Sequence, residues 1–170
     1  VVQIPEKELT VTSKEPSVKY RGIFLNDEAP SLTSYAKKKF GGYNQYFYEN
    51  VYELILRCKG NYLWPAMWSN TFSEDGKGTN KLANAELADK YGIVMGTSHH
   101  EPLCRAGVEW QNKYRQYGTS NAWDFNANET AITKFWEDGV ARNKNFENVY
   151  TCVVSRILLC QEQKKKILHF

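Results

Sequence analysis

Three stretches of the chain share one pattern: YRGIFLNDEAP (20–30), NYLWPAMW (61–68) and GIVMGTSHHEP (92–102). Each begins with a short apolar run and ends in a cluster of polar or aromatic residues. Short apolar runs bounded by turn-forming residues are typical of buried strands. The predicted strands are Tyr20–Leu25, Tyr62–Trp64, Gly92–Gly96 and, as a fourth run of this type, Val149–Val154.

The segments between the strands carry apolar residues at three- and four-residue steps, which is typical of amphipathic helices. The apolar positions are Phe47, Val51, Leu54, Ile55 and Cys58 in the first segment, Leu82, Ala83, Ala85, Leu87 and Ala88 in the second, and Ile132, Phe135, Trp136, Gly139 and Val140 in the third. Asn128 is the predicted N-cap of the third helix. The alternation of strands and helices predicts an α/β protein with a parallel sheet.

The polar clusters at the strand ends favour a (β/α)8 barrel over a doubly wound sheet. In a (β/α)8 barrel these ends converge on the face where active sites are built, whereas a doubly wound sheet gathers ligands at a switch point. The sequence has no GxGxxG or GxxxxGK[ST] motif to support nucleotide binding in a doubly wound sheet. We therefore predict a partial (β/α)8, TIM-type barrel comprising about the first four strands with their helices.

The chain of 170 residues is shorter than the roughly 250 residues of a whole barrel. Residues 1–18 are predicted to be a lead-in segment from a preceding domain, and residues 19–154 the partial barrel. Residues 155–170 read as a divergent basic tail that is not native to the fold. The remainder of the barrel and the flanking domains are accordingly expected partners of this segment.

The net charge of +3 does not indicate nucleic-acid binding. Four of the 22 basic residues and one of the 19 acidic ones lie within residues 151–170, which leaves 18 of each in the body of the chain. A balanced body lacks the broad basic face that neutralises phosphates. No apolar run approaches the length that spans a bilayer, so neither a nucleic acid nor a membrane is an expected partner.

The Asn26-Asp27-Glu28 cluster follows the first strand. A carboxylate such as Asp27 at this depth could accept sugar hydroxyls or take part in acid–base chemistry, with Asn26 and Glu28 bracing the loop or capping the next helix. The alternative is that these residues only form a turn.

Two tryptophans, Trp64 and Trp68, flank Pro65 at the end of the second strand. Aromatic residues make up 14% of the chain, which suits a surface that stacks on sugar rings but suits an aromatic core equally well. Both interpretations remain open for this pair.

The run Thr97–Pro102 contains His99, His100 and Glu101, whose side chains can donate and accept hydrogen bonds. Arg105 is a further possible contact for a sugar carboxylate. The histidines do not have the HExxH spacing of a zinc site, and His100 with Cys104 makes only a weak pair without a third ligand. Together with cysteines that lack a CxxC motif, this predicts no metal and no cofactor. A metal-dependent barrel hydrolase remains the least favoured alternative.

Three long segments closely resemble glycoside hydrolase family 115, the xylan α-1,2-glucuronidases: GIFLNDEAP (22–30), KFGGYNQYFYENVYELILRCKGNYLWPAMW (39–68) and KYGIVMGTSHHEPLCRA (90–106). The resemblance runs from about residue 17 to residue 151. It implies a secreted, multidomain enzyme that removes glucuronic acid or its 4-O-methyl form from xylan with inversion of configuration. It also implies that Asp27 is an active-site carboxylate and that Trp64, His99, His100 and Glu101 line the substrate pocket. The expected ligands are xylan or glucuronoxylan oligosaccharides.

The sequence after Thr151 departs from the family pattern. Relatives have a Gly- and Asp-rich loop with an essential carboxylate there, whereas CVVSRILLCQEQKKKILHF (152–170) contains neither Gly nor Asp. Inverting hydrolysis needs two carboxyl groups, one to protonate the leaving oxygen and one to activate water. We therefore expect a fragment that does not turn over substrate. A non-catalytic carbohydrate-binding or interaction module is the alternative from another functional class.

Overall fold

The described part of the chain forms a sheet of four parallel strands. The computed structural model describes residues 11–152, in which the strands are β1 (Gly22–Phe24), β2 (Tyr62–Trp64), β3 (Val94–Gly96) and β4 (Asn148–Val149). Their order in the sheet is β1-β2-β3-β4, with Phe24 beside Trp64 and Met95 beside Asn148. Strands that are neighbours in sequence are thus neighbours in space, as in a (β/α) barrel, and the order does not reverse as it does at the switch point of a doubly wound sheet.

In this part of the chain, five α-helices connect and cover the strands: α1 (Ser31–Phe40), α2 (Gln45–Arg57), α3 (Ala83–Lys90), α4 (Gly107–Lys113) and α5 (Phe125–Asn143). The sequence did not predict α1, whose only buried residue is Ala36 and whose last turn carries three lysines. Basic residues at a helix C-terminus suit the helix dipole. The helix ends at Gly41, whose φ of 80° is a left-handed conformation that glycine adopts without strain.

Helix α2 begins where the Asn44 side chain accepts a hydrogen bond from the backbone N–H of Tyr46 (3.1 Å). Its buried residues are Phe47, Tyr48, Val51, Tyr52 and Ile55. The prediction was wrong for Leu54 and Cys58, which are exposed. Two tyrosines are buried instead, because their hydroxyls find buried partners, the backbone N–H of Ala66 for Tyr48 and the carbonyl of Asn84 for Tyr52.

The main hydrophobic core lies between the sheet and helices α2 and α3. Leu63 of β2 is fully buried, and Met95 lies beside it on β3. Because successive strand residues point to opposite sides, Tyr62 and Trp64 face away from this core. A second cluster joins α4 to α5 and consists of Trp110, Phe125, Ala131, Ile132, Phe135 and Trp136.

Helix α5 begins earlier than the sequence predicted. Its N-cap is Asp124, whose side chain accepts from the backbone N–H of Asn126 (3.0 Å). The predicted cap, Asn128, lies inside the helix with non-helical dihedral angles, and its Nδ2 donates to the carbonyls of Ser120 and Ala122. Asn128 therefore kinks the helix and ties it to the preceding loop.

The predicted segment boundaries are only partly covered by the structure. Residues 1–10 and 153–170 lie outside the described range, so the divergent tail at 155–170 and the last two residues of the predicted strand Val149–Val154 do too. The fourth strand is found at Asn148–Val149. Between residues 11 and 152, no helix has the length and apolar character needed to cross a membrane.

Candidate functional site

The carboxyl ends of β1, β2 and β3, which we call the rim, carry most of the predicted site residues. Asp27 follows β1 and is 8% exposed. Its Oδ1 accepts a hydrogen bond from the backbone N–H of Trp68 (3.1 Å), and its Oδ2 accepts from the backbone N–H of Ser69 (2.7 Å) and from Nδ2 of Asn70 (2.6 Å). We call this set of contacts the Asp27 junction. It fastens the loop after β2 to the end of β1.

The Asp27 junction suits an ionised carboxylate. All three partners are donors, and an ionised carboxylate is an acceptor only. The Asp27 carbonyl also accepts from the hydroxyl of Thr33 (2.9 Å), which lies 3.1 Å from the hydroxyl of Tyr43. Burial raises the pKa of Tyr43, and the negative charge of Asp27 adds to that rise. Asp27 is therefore held in place from both sides, and its catalytic role stays a prediction.

Trp68 is presented to solvent by that junction. The backbone N–H of Trp68 donates to Asp27, and Trp68 is 53% exposed. The ring lies edge-on to the imidazole of His100, with 6.4 Å between ring centroids. Of the two tryptophans considered from the sequence, Trp68 is the exposed one and Trp64 is half-buried.

Trp64 has a different environment. Its Nε1 donates to the hydroxyl of Tyr62 (2.7 Å), and its ring packs edge-on against Phe24. Gly96 on the neighbouring strand makes room for this pair, since a Cβ there would lie 1.8 Å from the Tyr62 hydroxyl and 2.8 Å from Trp64 Nε1. Trp64 thus belongs to the inner face of the sheet, below the rim. Burial raises the pKa of Tyr62, so its hydroxyl stays protonated at neutral pH.

The histidines lie where the sequence placed them, after β3. His99 and His100 are both exposed, and their ring centroids are 3.9 Å apart. Glu101 is 4% exposed, and its Oε2 accepts from the hydroxyl of Ser98 (2.5 Å) while its carbonyl accepts from the hydroxyl of Thr97 (2.6 Å). The imidazoles are therefore accessible to a ligand, whereas Glu101 is tied into its own loop.

Asn26 and Glu28 flank Asp27 with opposite exposure. The Oδ1 atom of Asn26 is buried and has no hydrogen-bond partner among residues 11–152, although a buried acceptor normally has one. Glu28 is exposed. Asn26 therefore carries an unused acceptor beside the Asp27 junction.

Arg105 is not brought to the rim, which corrects the expectation that it meets a sugar carboxylate. It is 3% exposed, its Nη1 pairs with Glu109 (3.0 Å), and its Nη2 donates to the hydroxyl of Tyr117 (2.7 Å). The guanidinium also lies over the ring of Phe135 at 3.9 Å. Because both Nη atoms are engaged and the side chain is buried, Arg105 contributes to the packing of α4 against α5.

Arg105 belongs to a set of charged side chains that we call the ion cluster, formed by Glu74, Arg105, Glu109, Lys113 and Arg142. Burial favours a raised pKa for Glu74, but the hydrogen bond from Lys113 and the charges of Arg142 and Lys113 outweigh it and hold the pKa below its ordinary value. Burial opposes the charge on Arg142, yet Glu109 and Glu74 raise its pKa. The cluster joins the loops after β2 and β3 to helices α4 and α5.

The weak metal pair of His100 and Cys104 is not supported by geometry. Cys104 is buried, and burial raises the pKa of its thiol to about 12, whereas His100 is exposed. Across residues 11–152, no three His, Cys, Asp or Glu side chains come together in a way that could hold a metal ion.

Sequence reasoning missed three residues of the rim and the inner face: Tyr62, Asn70 and Gly96. The signal for Tyr62 was present, because it alternates with Trp64 along β2 and must lie on the same side. Asn70 gave no signal, since its contact with Asp27 depends on how the loop folds back.

Two comparisons with known proteins found matches to this chain. The model of the family described as Glycosyl hydrolase family 115 matches residues 13–154. A solved structure described as a family GH115 4-O-methyl-α-glucuronidase with specificity for decorated arabinogalactans superposes with a TM-score of 0.70 at 32% identity. That match covers 91% of this chain and 21% of the other, so this chain spans about a fifth of that protein's length. A search of curated protein sequences gave no match.

Proposed function

Because this chain belongs to glycosyl hydrolase family 115, we propose that its rim binds the uronic acid side group of a plant polysaccharide within an inverting α-glucuronidase. The expected substrate is xylan carrying glucuronic acid or its 4-O-methyl form on α-1,2 linkages. Such a polymer lies outside cells, so the proposal includes secretion. The fold is accordingly the first four strands of a TIM-type barrel.

One observation carries the proposal, the continuous series of contacts from Asp27 through Trp68 to His100. These residues follow three different strands and meet at one rim, which is where barrel enzymes assemble their sites. The exposed imidazoles of His99 and His100 can donate to a sugar carboxylate.

The proposed role of Asp27 is positioning or general-base chemistry. A general acid must carry a proton toward the leaving oxygen, but each Asp27 oxygen already faces a donor. The general acid would then come from another part of the site. Since the sequence from Cys152 onward lacks the carboxylate of the family's next loop, we expect the 170-residue chain to bind substrate without hydrolysing it.

A second substrate class is favoured by one comparison. The solved relative is described as specific for decorated arabinogalactans, so the same uronic acid site could serve a galactan backbone in this protein. The acidic group would be recognised alike in both cases, and the backbone sugar would differ.

Calorimetric titration tests the proposal. The purified chain is titrated with xylotriose carrying 4-O-methylglucuronic acid and, as the matched control, with the methyl ester of the same compound, which lacks the negative charge. We expect saturable binding of the acid and at least about tenfold weaker binding of the ester, since a lost charged hydrogen bond costs roughly 1.5–3 kcal/mol. Equal affinity for acid and ester, or no binding of either, would reject the proposal.

A further inference from the structure

We infer that Trp68 and His100 form a stacking subsite for a neutral pyranose ring of the polysaccharide backbone, adjacent to the site for the acidic side group. The inference rests on the proposed function, because a side group and the backbone sugar that bears it are neighbours in the same ligand. The two parts can nevertheless be tested apart.

The first reason is the contrast between the two tryptophans. Trp64 is partly buried, and its Nε1 is used by Tyr62 on the inner face of the sheet. Trp68 is 53% exposed, and no hydrogen bond of its ring is present within residues 11–152. An exposed indole ring at a rim is an apolar surface that a soluble protein otherwise buries.

The second reason is that the Trp68 backbone is held rigidly. The Asp27 junction fixes the backbone N–H groups of Trp68 and Ser69, and the Trp68 ring packs nearly perpendicular to the imidazole of His100, at an interplanar angle of 86°. A platform held in this way loses little conformational freedom when a ligand binds, so more of the contact energy appears as affinity. The C–H face of a pyranose is apolar and flat enough to cover such a ring, while the imidazole beside it can serve a hydroxyl.

The third reason is the asymmetry of exposure among the tryptophans. Trp110 and Trp136 are buried, and Trp123, which is 37% exposed, packs against both of them and Phe135 in the α4–α5 cluster. Trp68 is thus the most exposed of the five tryptophans, and it lies at the rim.

Fluorescence titration of three forms of the full 170-residue chain tests the subsite: the parent protein, Trp68→Ala and Trp68→Phe. The matched control is Tyr46→Ala, because Tyr46 is also 53% exposed but lies on α2. The probes are xylotriose, a galactotriose and the free monosaccharide 4-O-methylglucuronic acid. Equal thermal midpoints for all forms establish that the fold is intact.

We expect Trp68→Ala to weaken binding of a neutral trisaccharide about tenfold, as truncation of an aromatic anchor does, with Trp68→Phe intermediate and Tyr46→Ala unchanged. Binding of the free monosaccharide should change less than about twofold in every variant. The preferred trisaccharide identifies the backbone as xylan or galactan.

Two results overturn the subsite: equal affinity of the parent and Trp68→Ala for the neutral trisaccharides, or no binding of these by the parent. If the monosaccharide still binds in that case, the proposed function survives without the subsite. Conversely, Trp68-dependent binding of a trisaccharide without any binding of the acid would retain the subsite and reject the uronic acid proposal.

Discussion

Asp27 joins two rim loops through three hydrogen bonds, each from a donor to a carboxylate oxygen. An amide keeps one acceptor oxygen and turns an NH2 group toward at least one of these donors, so a buried donor would lose its partner. Because each such loss costs about 1–3 kcal/mol, we expect Asp27→Asn to lower the free energy of unfolding by roughly 3 kcal/mol in urea denaturation.

Glu28→Gln is the matched control for that measurement. Glu28 is the neighbouring carboxylate and is exposed, so the change should stay within about 0.5 kcal/mol. Similar effects for the two variants would mean that the Asp27 junction does not hold the rim.

The reactivity of the Cys104 thiol tests whether this side chain is buried in the folded protein. Burial raises its pKa to about 12, whereas Cys58 and Cys152 are exposed. Because the thiolate is the reactive species, iodoacetamide at pH 8 should modify Cys58 and Cys152 in the folded protein and leave Cys104 unmodified until urea is added. Peptide mass spectrometry checks this, and rapid modification of Cys104 in buffer would contradict the structure.

The raised pKa of Cys104 should lower the stability of the fold at alkaline pH. The pKa of Cys104 is higher in the folded protein than its ordinary value of 9.0, so the unfolded chain releases the thiol proton first. The contribution of this group to stability is complete below about pH 9 and is lost as the pH rises toward about 12.

At the scale of the elements, the ion cluster connects the rim loops to helices α4 and α5. Glu109 is fully buried at its side chain and pairs with both Arg105 and Arg142. Glu109→Gln would leave two buried guanidinium groups and Lys113 with Glu74 as their remaining counter-charge in the cluster, so we expect a loss of about 3–5 kcal/mol in the free energy of unfolding. Thermal and urea denaturation measure it.

Glu53→Gln is the control for that change, since Glu53 pairs with Arg57 on the exposed face of α2. An exposed pair of this kind is worth less than about 1 kcal/mol.

Acid should also weaken the ion cluster, because the pKa of Glu74 is lowered in the folded protein. Its stabilising contribution is therefore present above about pH 4.5 and is lost as the pH falls below that value. A stability curve that is flat across pH 3–5 would contradict this role.

The elements also show how far a sequence can be interpreted. The strands were predictable because short apolar runs ended in Asn26, Trp64 and Thr97, and these ends do meet at one rim. Helix α1 was not predictable, because a helix that buries only Ala36 has almost no apolar periodicity. The role of Arg105 could not be predicted, because its contacts come from segments that are distant in sequence. It pairs with Glu74 and donates to Tyr117, and Arg142 shares its carboxylate partner Glu109.

At the scale of the whole molecule, strand β1 is an edge of the sheet. It pairs only with β2 within the described residues, and both Ile23 (43%) and Phe24 (44%) are exposed there. An exposed apolar edge is a template for pairing with another chain. We expect the protein to self-associate at high concentration, and Ile23→Lys to shift sedimentation velocity profiles toward monomer.

Leu54→Lys is the matched control for that edge. Leu54 is 55% exposed, but it lies on α2, whose backbone groups are already paired. If Leu54→Lys dissolved the association as well as Ile23→Lys, general surface hydrophobicity and not the strand edge would be responsible.

The central claim is that a single rim of this barrel segment binds an acidic sugar between the loops after β1, β2 and β3. The most direct measurement is an NMR titration of the five tryptophan indole N–H signals with xylotriose carrying 4-O-methylglucuronic acid. The account predicts that the signals of Trp64 and Trp68 move together as the ligand saturates while those of Trp110, Trp123 and Trp136 stay in place. Shifts confined to the α4–α5 tryptophans, or none at saturating ligand, would contradict it.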